Sequence, residues 1–291
     1  MTSGGLSRRS LFGIAAAGVL AAPALAAGNQ LAALEAKTGG RLGVAALDVA
    51  SGARLAHRDD ERFPMCSTFK AMAVAAMLAR VDRGADRLNR FVPYRRADLL
   101  EYAPVTRAHV RAGGMTVGEL CAAAIEHSDN TAANLILASI GGPPGWTGFV
   151  RSLDDAASRL DRVEPALNDV APGDTRDTTT PLAMLRDLEL TVLGKVLSPA
   201  SRDRLAGWMV ACETGKQRLR AGLPSAWRVG DKTGTCDSHH NTTGDIAVAW
   251  APGGPMVIAS YLADANVDPA GRDAALAEVG RIVAAAFRSH G

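Results

Sequence analysis

The spacing of apolar and polar positions changes along this chain from strand-like to helical and back again. Two apolar positions three residues apart, Leu31 and Leu34, predict a short N-terminal helix. The pattern between about 66 and 212 is mostly helical, and 273–287 predicts a closing helix. Strand-like runs occur twice before the helical block and three times after it, over 42–48, 53–57, 227–231, 245–250 and 256–262.

Strands at both ends of a chain, with helices between them, predict a discontinuous domain. The simplest arrangement is an α/β plus all-α two-domain fold, in which a five-stranded antiparallel sheet is flanked by the terminal helices and the helical block is inserted as a second domain. We expect residues 27–65 and 213–291 to form the α/β domain and residues 66–212 the helical domain. A cleft is expected where the two domains meet.

Residues 1–26 have the features of an export signal. Arg8-Arg9 precedes an apolar stretch over 11–22, and Ala24-Leu25-Ala26 is a small-residue cleavage pattern, so the segment resembles a twin-arginine signal. The stretch of about 12 residues is shorter than the roughly 20 that span a bilayer, which disfavours the alternative of an uncleaved anchor. We therefore expect a periplasmic protein with no membrane contact after the signal is removed.

Composition excludes some partners. The chain of 291 residues is 47% hydrophobic and 21% charged, as ordinary globular proteins are. Its formal net charge of +2 is matched by Arg8 and Arg9 alone, so the mature chain is close to neutral and lacks the basic surface that nucleic acid or an anionic membrane would require.

Cysteine and lysine usage narrows the chemistry. The four cysteines can pair in three ways or only partly, and no C-x-x-C pair or histidine cluster at ligand spacing accompanies them, so we predict no metal and no cofactor. Arginine outnumbers lysine by 27 to 5. A position that keeps lysine is therefore a candidate for chemistry that needs an amine able to lose its proton.

Two short motifs fall in the helical block. Ser67-Thr68-Phe69-Lys70 opens an apolar helix, which places a hydroxyl and an amine on one face as a nucleophile and its base. About one Ser-x-x-Lys is expected by chance in a chain of this length, so the motif is weak alone. Ser128-Asp129-Asn130 can relay a proton and bind a carbonyl, or it can simply cap a helix.

Two further motifs lie on the strand after that block and in an irregular stretch within it. Lys232-Thr233-Gly234 lies on a predicted strand, where it can present an ammonium and a hydroxyl to an anion, whereas the copy Lys37-Thr38-Gly39 is explained by a helix end. The irregular stretch 161–177 contains Glu164 and Asn168, which can hold and activate a water molecule. A plain surface loop is the alternative for that stretch.

In this order, the four motifs resemble those of the class A serine β-lactamases, and the resemblance extends over essentially the whole mature chain. It implies the two-domain fold expected above. It also implies that Ser67 is the nucleophile that opens the β-lactam amide, that Lys70 and Ser128 move protons, and that Glu164 activates the hydrolytic water. The implied oxyanion hole consists of the backbone N–H groups of Ser67 and Thr235.

Further roles follow from the same resemblance. Asn168 helps Glu164 to hold the water, and Asn130 binds the acylamide side chain of the substrate. Tyr102 corresponds to an aromatic residue at the cleft mouth, unless it is a partly buried loop residue. The acylation base is Lys70 or Glu164. The implied ligands of the substrate carboxylate are Lys232, Thr233 and Thr235.

Two features resemble the serine carbapenemases within that family. They are a disulfide between Cys66 and Cys236 and an arginine, Arg218, near the substrate carboxylate, although Arg218 can equally be a surface ion-pair residue. Cys121 and Cys212 are then expected to be buried free thiols. The resemblance implies a monomer that hydrolyses penicillins, cephalosporins and carbapenems. The rival interpretations are a penicillin-binding peptidase and a β-lactam sensor, both of which would keep a long-lived acyl adduct.

Overall fold

The computed structural model describes residues 21–237 and 240–288. Within these ranges, helices α1 to α10 span Ala21–Thr38, Phe69–Asp82, Pro104–His109, Val117–Glu126, Asn130–Ile140, Gly142–Arg151, Pro181–Val192, Pro199–Val210, Leu219–Gly222 and Pro269–Arg288. Strands β1 to β9 span Arg41–Asp48, Arg54–His57, Phe63–Pro64, Phe91–Pro93, Gly114–Thr116, Thr178–Thr179, Arg228–Cys236, Thr242–Ala251 and Gly254–Ala263. Most of the predicted export signal, including its twin-arginine pair, lies outside the described residues.

The five predicted strands form the predicted sheet. Its order is β2-β1-β9-β8-β7, and every neighbouring pair is antiparallel. Strand β7 is longer than its apolar pattern predicts, because pairing with β8 continues through the polar Lys232 and Thr233 to Cys236. The Lys-Thr-Gly segment therefore lies on the edge strand of the sheet, next to the helical block.

The two faces of the sheet are covered by different helices. Helices α1, α9 and α10 cover one face through apolar side chains such as Leu31, Leu219 and Leu276. Helix α7 and the rest of the helical block cover the other face. Helix α2 is the centre of that block, since every residue from Phe69 to Ala79 is buried. An alanine-rich helix without a polar stripe is stable only in such an enclosed position.

Local sequence signals set several helix boundaries. Thr116 and Glu119 form a reciprocal capping box at the start of α4, with the Glu119 carboxylate accepting the Thr116 N–H at 2.7 Å. Thr180 and Ser198 cap α7 and α8, each followed by proline at the first helical position. These caps satisfy backbone N–H groups that would otherwise lack partners.

The predicted division of the chain into two domains stays a proposal. We propose that 27–65 with 213–291 and 66–212 behave as two domains that meet at β7 and the start of α2. Among the described helices, none is both long and apolar enough to cross a bilayer.

Candidate active site

The candidate nucleophile lies on a tight turn at the start of α2. Residues Cys66–Thr68 form a 3-10 turn that runs directly into the α-helix, so Ser67 precedes the regular helix and Lys70 lies in its first turn. Cys66 has a positive φ of 44°, an uncommon conformation for a residue other than glycine. The turn presents the Ser67 hydroxyl toward the loop over 161–177.

That loop brings a carboxylate to the serine. Ser67 Oγ donates to Glu164 Oε1 at 3.2 Å, and the Lys70 ammonium lies 3.1 Å from the same oxygen. Asn168 Nδ2 donates to the other oxygen, Oε2, at 2.6 Å. An ion pair closes the neck of the loop, with Arg162 Nε 2.5 Å from Asp177 Oδ2. The loop is therefore an ordered part of the site.

Asn134 is a residue that the motifs did not reveal. Its side chain donates to the Glu164 carbonyl at 2.9 Å and accepts the Glu164 N–H at 3.0 Å. It thereby fixes the backbone of Glu164, next to the cis peptide bond that joins Glu164 to Pro165. The available signal was its position one turn after Asn130 on α5, since residues four apart share a helix face.

Two buried lysines meet at the Ser128 hydroxyl. Lys70 Nζ lies 3.3 Å from Ser128 Oγ and donates to the Ser128 carbonyl at 2.7 Å, and Asn130 Oδ1 accepts from the same ammonium at 2.6 Å. Lys232 Nζ donates to Ser128 Oγ at 3.0 Å. Both lysine side chains are fully buried. Ser128 thus lies between two amines across which a proton can move.

The same burial governs how these amines titrate. Desolvation lowers the pKa of Lys70, although the carboxylates of Glu164 and Asp129 oppose this. Desolvation also lowers the pKa of Lys232 to about 7, and the neighbouring Lys70 contributes in the same direction. An amine that gives up its proton near neutral pH is suited to act as a base.

The middle residue of the Ser-Asp-Asn motif is structural. Asp129 is buried and caps α5, with its Oδ1 accepting the Ala132 N–H at 2.9 Å, and its Oδ2 accepts the N–H groups of Val105 and Thr106. The capping interpretation therefore holds for Asp129, while Ser128 and Asn130 on either side face Lys70. One tripeptide combines a cap with two site residues.

Close packing brings β7 against the nucleophile turn. A β-carbon added to Gly234 would lie 2.7 Å from the Met65 carbonyl oxygen and 3.1 Å from the Ser67 nitrogen, so glycine is needed at this position. The backbone after it, at Thr235, therefore runs beside the Ser67 N–H. The copy at Lys37-Thr38-Gly39 ends α1 instead, and Gly39 has a φ of 67° there, as predicted.

Arg218 is buried rather than on the surface, although it does form an ion pair, with Asp273. Its guanidinium donates to Thr235 Oγ1 at 2.8 Å and to the carbonyls of Gly234 and Gly244, both at 2.9 Å. Asp273 on α10 accepts from Nε at 2.8 Å. The pattern of the chain gives no local signal for Asp273, since it lies 55 residues away in sequence.

The predicted cysteine states agree with the structure. Cys66 and Cys236 form a disulfide that joins the nucleophile turn to the end of β7, while Cys121 and Cys212 are buried free thiols. Tyr102 lies in a loop and is 52% exposed. Its carbonyl accepts the Asn130 N–H at 3.1 Å, which places it beside the cleft.

A serine hydroxyl in contact with a carboxylate, with two buried amines in the same cluster, is suited to acyl transfer through a serine nucleophile. Fold and site together define a serine hydrolase. Comparison with known proteins identifies the family to which this hydrolase belongs.

Residues 26–287 match the profile of the β-lactamase enzyme family. The chain is 52% identical over 261 residues to β-lactamase L2 of Stenotrophomonas maltophilia, covering 89% of this chain and 85% of that protein. It is 49% identical over 255 residues to β-lactamase AST-1 of Nocardia asteroides, covering 87% and 81%. Among solved structures, the ancestral (GNCA) class A β-lactamase is 60% identical with a TM-score of 0.87, covering 90% of this chain and 100% of that one. The chain belongs to the class A β-lactamases, and it is an enzyme that hydrolyses β-lactams.

Proposed function

We propose that this enzyme hydrolyses penicillins, cephalosporins and carbapenems through an acyl-enzyme on Ser67, which a water activated by Glu164 then removes. The observation that carries this proposal is the Glu164 carboxylate, which contacts the Ser67 hydroxyl through one oxygen and Asn168 through the other. A water molecule held by this carboxylate and amide has a general base beside the ester that it must attack.

Acylation uses the contacts around the serine. Attack by Ser67 Oγ on the β-lactam carbonyl requires removal of the hydroxyl proton, for which both Lys70 and Glu164 are in reach. The Ser128 hydroxyl, between Lys70 and Lys232, delivers a proton to the departing ring nitrogen. The N–H groups of Ser67 and Thr235 stabilise the oxyanion, and the loss of one such donor typically costs about 3 to 4 kcal/mol in the transition state.

Substrate binding falls to the other side of the cleft. Lys232, Thr233 and Thr235 bind the substrate carboxylate, with Arg218 holding the Thr235 hydroxyl in place. Asn130 binds the acylamide, and the exposed Tyr102 ring packs on the substrate at the mouth. The Cys66–Cys236 disulfide and buried Arg218 support carbapenems as substrates, since these two features resemble the serine carbapenemases.

The setting of the activity is part of the proposal. We expect the mature enzyme to act as a monomer in the periplasm after export by the twin-arginine route, and to confer β-lactam resistance there, as the signal-like N-terminus suggests. Balanced charge gives no reason to expect nucleic acid or membrane as a partner.

Time-resolved intact mass spectrometry tests this function directly. The mature protein is mixed with excess benzylpenicillin and, separately, imipenem, while absorbance follows ring opening. We expect an adduct on Ser67 that disappears as many equivalents of both drugs are consumed. Clearance of penicillin alone would contradict the carbapenem part of the proposal. Adducts that persist with both drugs would indicate a penicillin-binding peptidase or a sensor, and the role of Glu164 would be wrong.

A further inference from the structure

A buried thiol lies behind the carboxylate-binding strand. Cys212 follows α8, and its side chain is 1% exposed. Its Sγ lies 3.3 Å from Thr214 Oγ1, and Thr214 Oγ1 lies 2.6 Å from Thr233 Oγ1. Three polar atoms therefore form a chain that leads from the interior to a hydroxyl of the Lys-Thr-Gly segment.

The direction of the hydrogen bonds in this chain matters for binding. Each threonine hydroxyl has one proton to donate, so an isolated threonine pair has two arrangements. Either Thr214 donates to Thr233, or Thr233 donates to Thr214. A carboxylate can only accept. Only the first arrangement leaves the Thr233 proton free for a substrate carboxylate.

Cys212 favours the first arrangement. Burial raises the pKa of its thiol, so the sulfur keeps its proton at neutral pH. Because sulfur is a weak acceptor, the Thr214 proton is better placed on Thr233 Oγ1, and the S–H donates to Thr214 Oγ1. Once Thr214 accepts from the thiol, its own proton is directed to Thr233.

We propose that Cys212 is a positioning residue for substrate recognition. Its thiol orients the Thr214 hydroxyl, which orients that of Thr233, so that Thr233 presents its proton to the carboxylate of the β-lactam. No bond is made or broken in this role. The inference deepens the proposed function and rests on it, because it assumes that Thr233 binds the carboxylate.

The test compares benzylpenicillin with its methyl ester, which lacks the carboxylate charge. In Cys212→Ala we expect kcat/KM for benzylpenicillin to fall about three- to tenfold, the loss typical of one neutral hydrogen bond, and kcat/KM for the ester to stay unchanged. Cys212→Ser, which keeps a donor, restores the wild-type ratio of the two values. Thr214→Val removes the hydroxyl that competes for the Thr233 proton, so Cys212→Ala causes no further loss of the ratio in a Thr214→Val background.

The second free thiol provides a matched control. Cys121 is also fully buried, but it lies in the hydrophobic cluster of the helical block. Cys121→Ala therefore lowers stability and leaves the substrate ratio unchanged. Should Cys212→Ala fail to fold, Cys212→Val, which fills the site without a donor, carries the same comparison with Cys212→Ser.

Two results overturn the inference while leaving the proposed function intact. One is a ratio in Cys212→Ala that stays at the wild-type value. The other is an equal loss for the acid and the ester, which would mean only that β7 has shifted. Absence of penicillin turnover in the wild type would instead overturn the proposed function, and this inference with it.

Discussion

The site has a helical wall, formed by α2 and the loop over 161–177, and a sheet wall, formed by β7. The two walls accommodate buried charge in different ways. On the helical wall, Lys70 faces the Glu164 carboxylate at 3.1 Å, so a buried cation is paired with an anion at the place where bonds change. On the sheet wall, Lys232 is equally buried, but its amine contacts a hydroxyl and a backbone carbonyl. The carboxylate that completes the sheet wall is therefore expected to arrive with the substrate.

This difference separates chemistry from binding. A side chain that already has its counter-ion is fixed before substrate enters, which suits proton transfer. Lys232 contacts no carboxylate among the described residues, and a bound anion would favour its charged form, so it has binding energy to offer an anionic ligand. Changes on the helical wall should therefore lower kcat, whereas changes on the sheet wall should raise KM.

The largest expected effect comes from the covalent link between the walls. The Cys66–Cys236 disulfide closes a loop with a sequence separation of 170 residues, for which chain entropy allows up to about 5 kcal/mol of stabilisation. We expect reduction to lower the free energy of unfolding by an amount approaching that value, measured by denaturant titration with and without reductant. The Cys66→Ser/Cys236→Ser variant is the control. A similar response to reductant in wild type and variant would contradict the prediction.

Removing the carboxylate of the helical wall should stop the reaction halfway. In Glu164→Gln we expect kcat for benzylpenicillin to fall by about 10³-fold or more, because a general base contributes roughly 10²- to 10⁴-fold. The Ser67 adduct should still form and then persist, as intact mass will report. Glu213→Gln, at an exposed carboxylate 60% accessible to solvent, is the control and should turn over normally. Normal turnover by Glu164→Gln would contradict the assignment of the chemistry to the helical wall.

Some features of the two walls can be predicted from the sequence, and others cannot. The strands, the caps and the motif residues follow from local patterns and from a family resemblance, and the structure places them together. Asn134, Asp273 and Thr214 were missed because their roles depend on contacts between distant segments, such as Asp273 with Arg218. The end of β7 was also missed, since the sheet partner extends a strand past its last apolar residue.

A second buried pair consists of two carboxyl groups, whereas Lys70 and Glu164 have opposite charges. Asp187 on α7 is fully buried beside Asp155, and neither of its oxygens contacts a donor among the described residues. Asp155 Oδ1 already accepts the N–H groups of Ala157 and Ser158. Desolvation, followed by the neighbouring Asp155 side chain, raises the pKa of Asp187 to about 9, so a proton takes the place of a counter-ion.

This proton makes stability depend on pH. Because the pKa of Asp187 is raised on folding, the stabilisation is complete below its unfolded value near 4 and is lost as pH rises toward about 9. Over that window we expect the unfolding equilibrium constant of the wild type to rise relative to Asp187→Asn by up to about tenfold per pH unit. Denaturant titrations at several pH values measure this, with Asp203→Asn at an exposed position as the control. Parallel pH profiles for wild type and Asp187→Asn would show that Asp187 is ionised when folded.

The smallest effect should come from the arginine that supports the sheet wall. Arg218 reaches substrate-binding groups indirectly, since it holds the Thr235 hydroxyl and the carbonyls of Gly234 and Gly244. In Arg218→Ala we expect KM for benzylpenicillin to rise on the order of tenfold, about 1.4 kcal/mol, with kcat within about twofold, because the contacts of Ser67 with Glu164 do not involve this side chain. Arg228→Ala, at the exposed start of the same strand, should leave both constants unchanged. If kcat falls as much as KM rises in Arg218→Ala, then Arg218 also holds the Thr235 N–H in the oxyanion hole, and the sheet wall takes part in the chemistry as well as in binding.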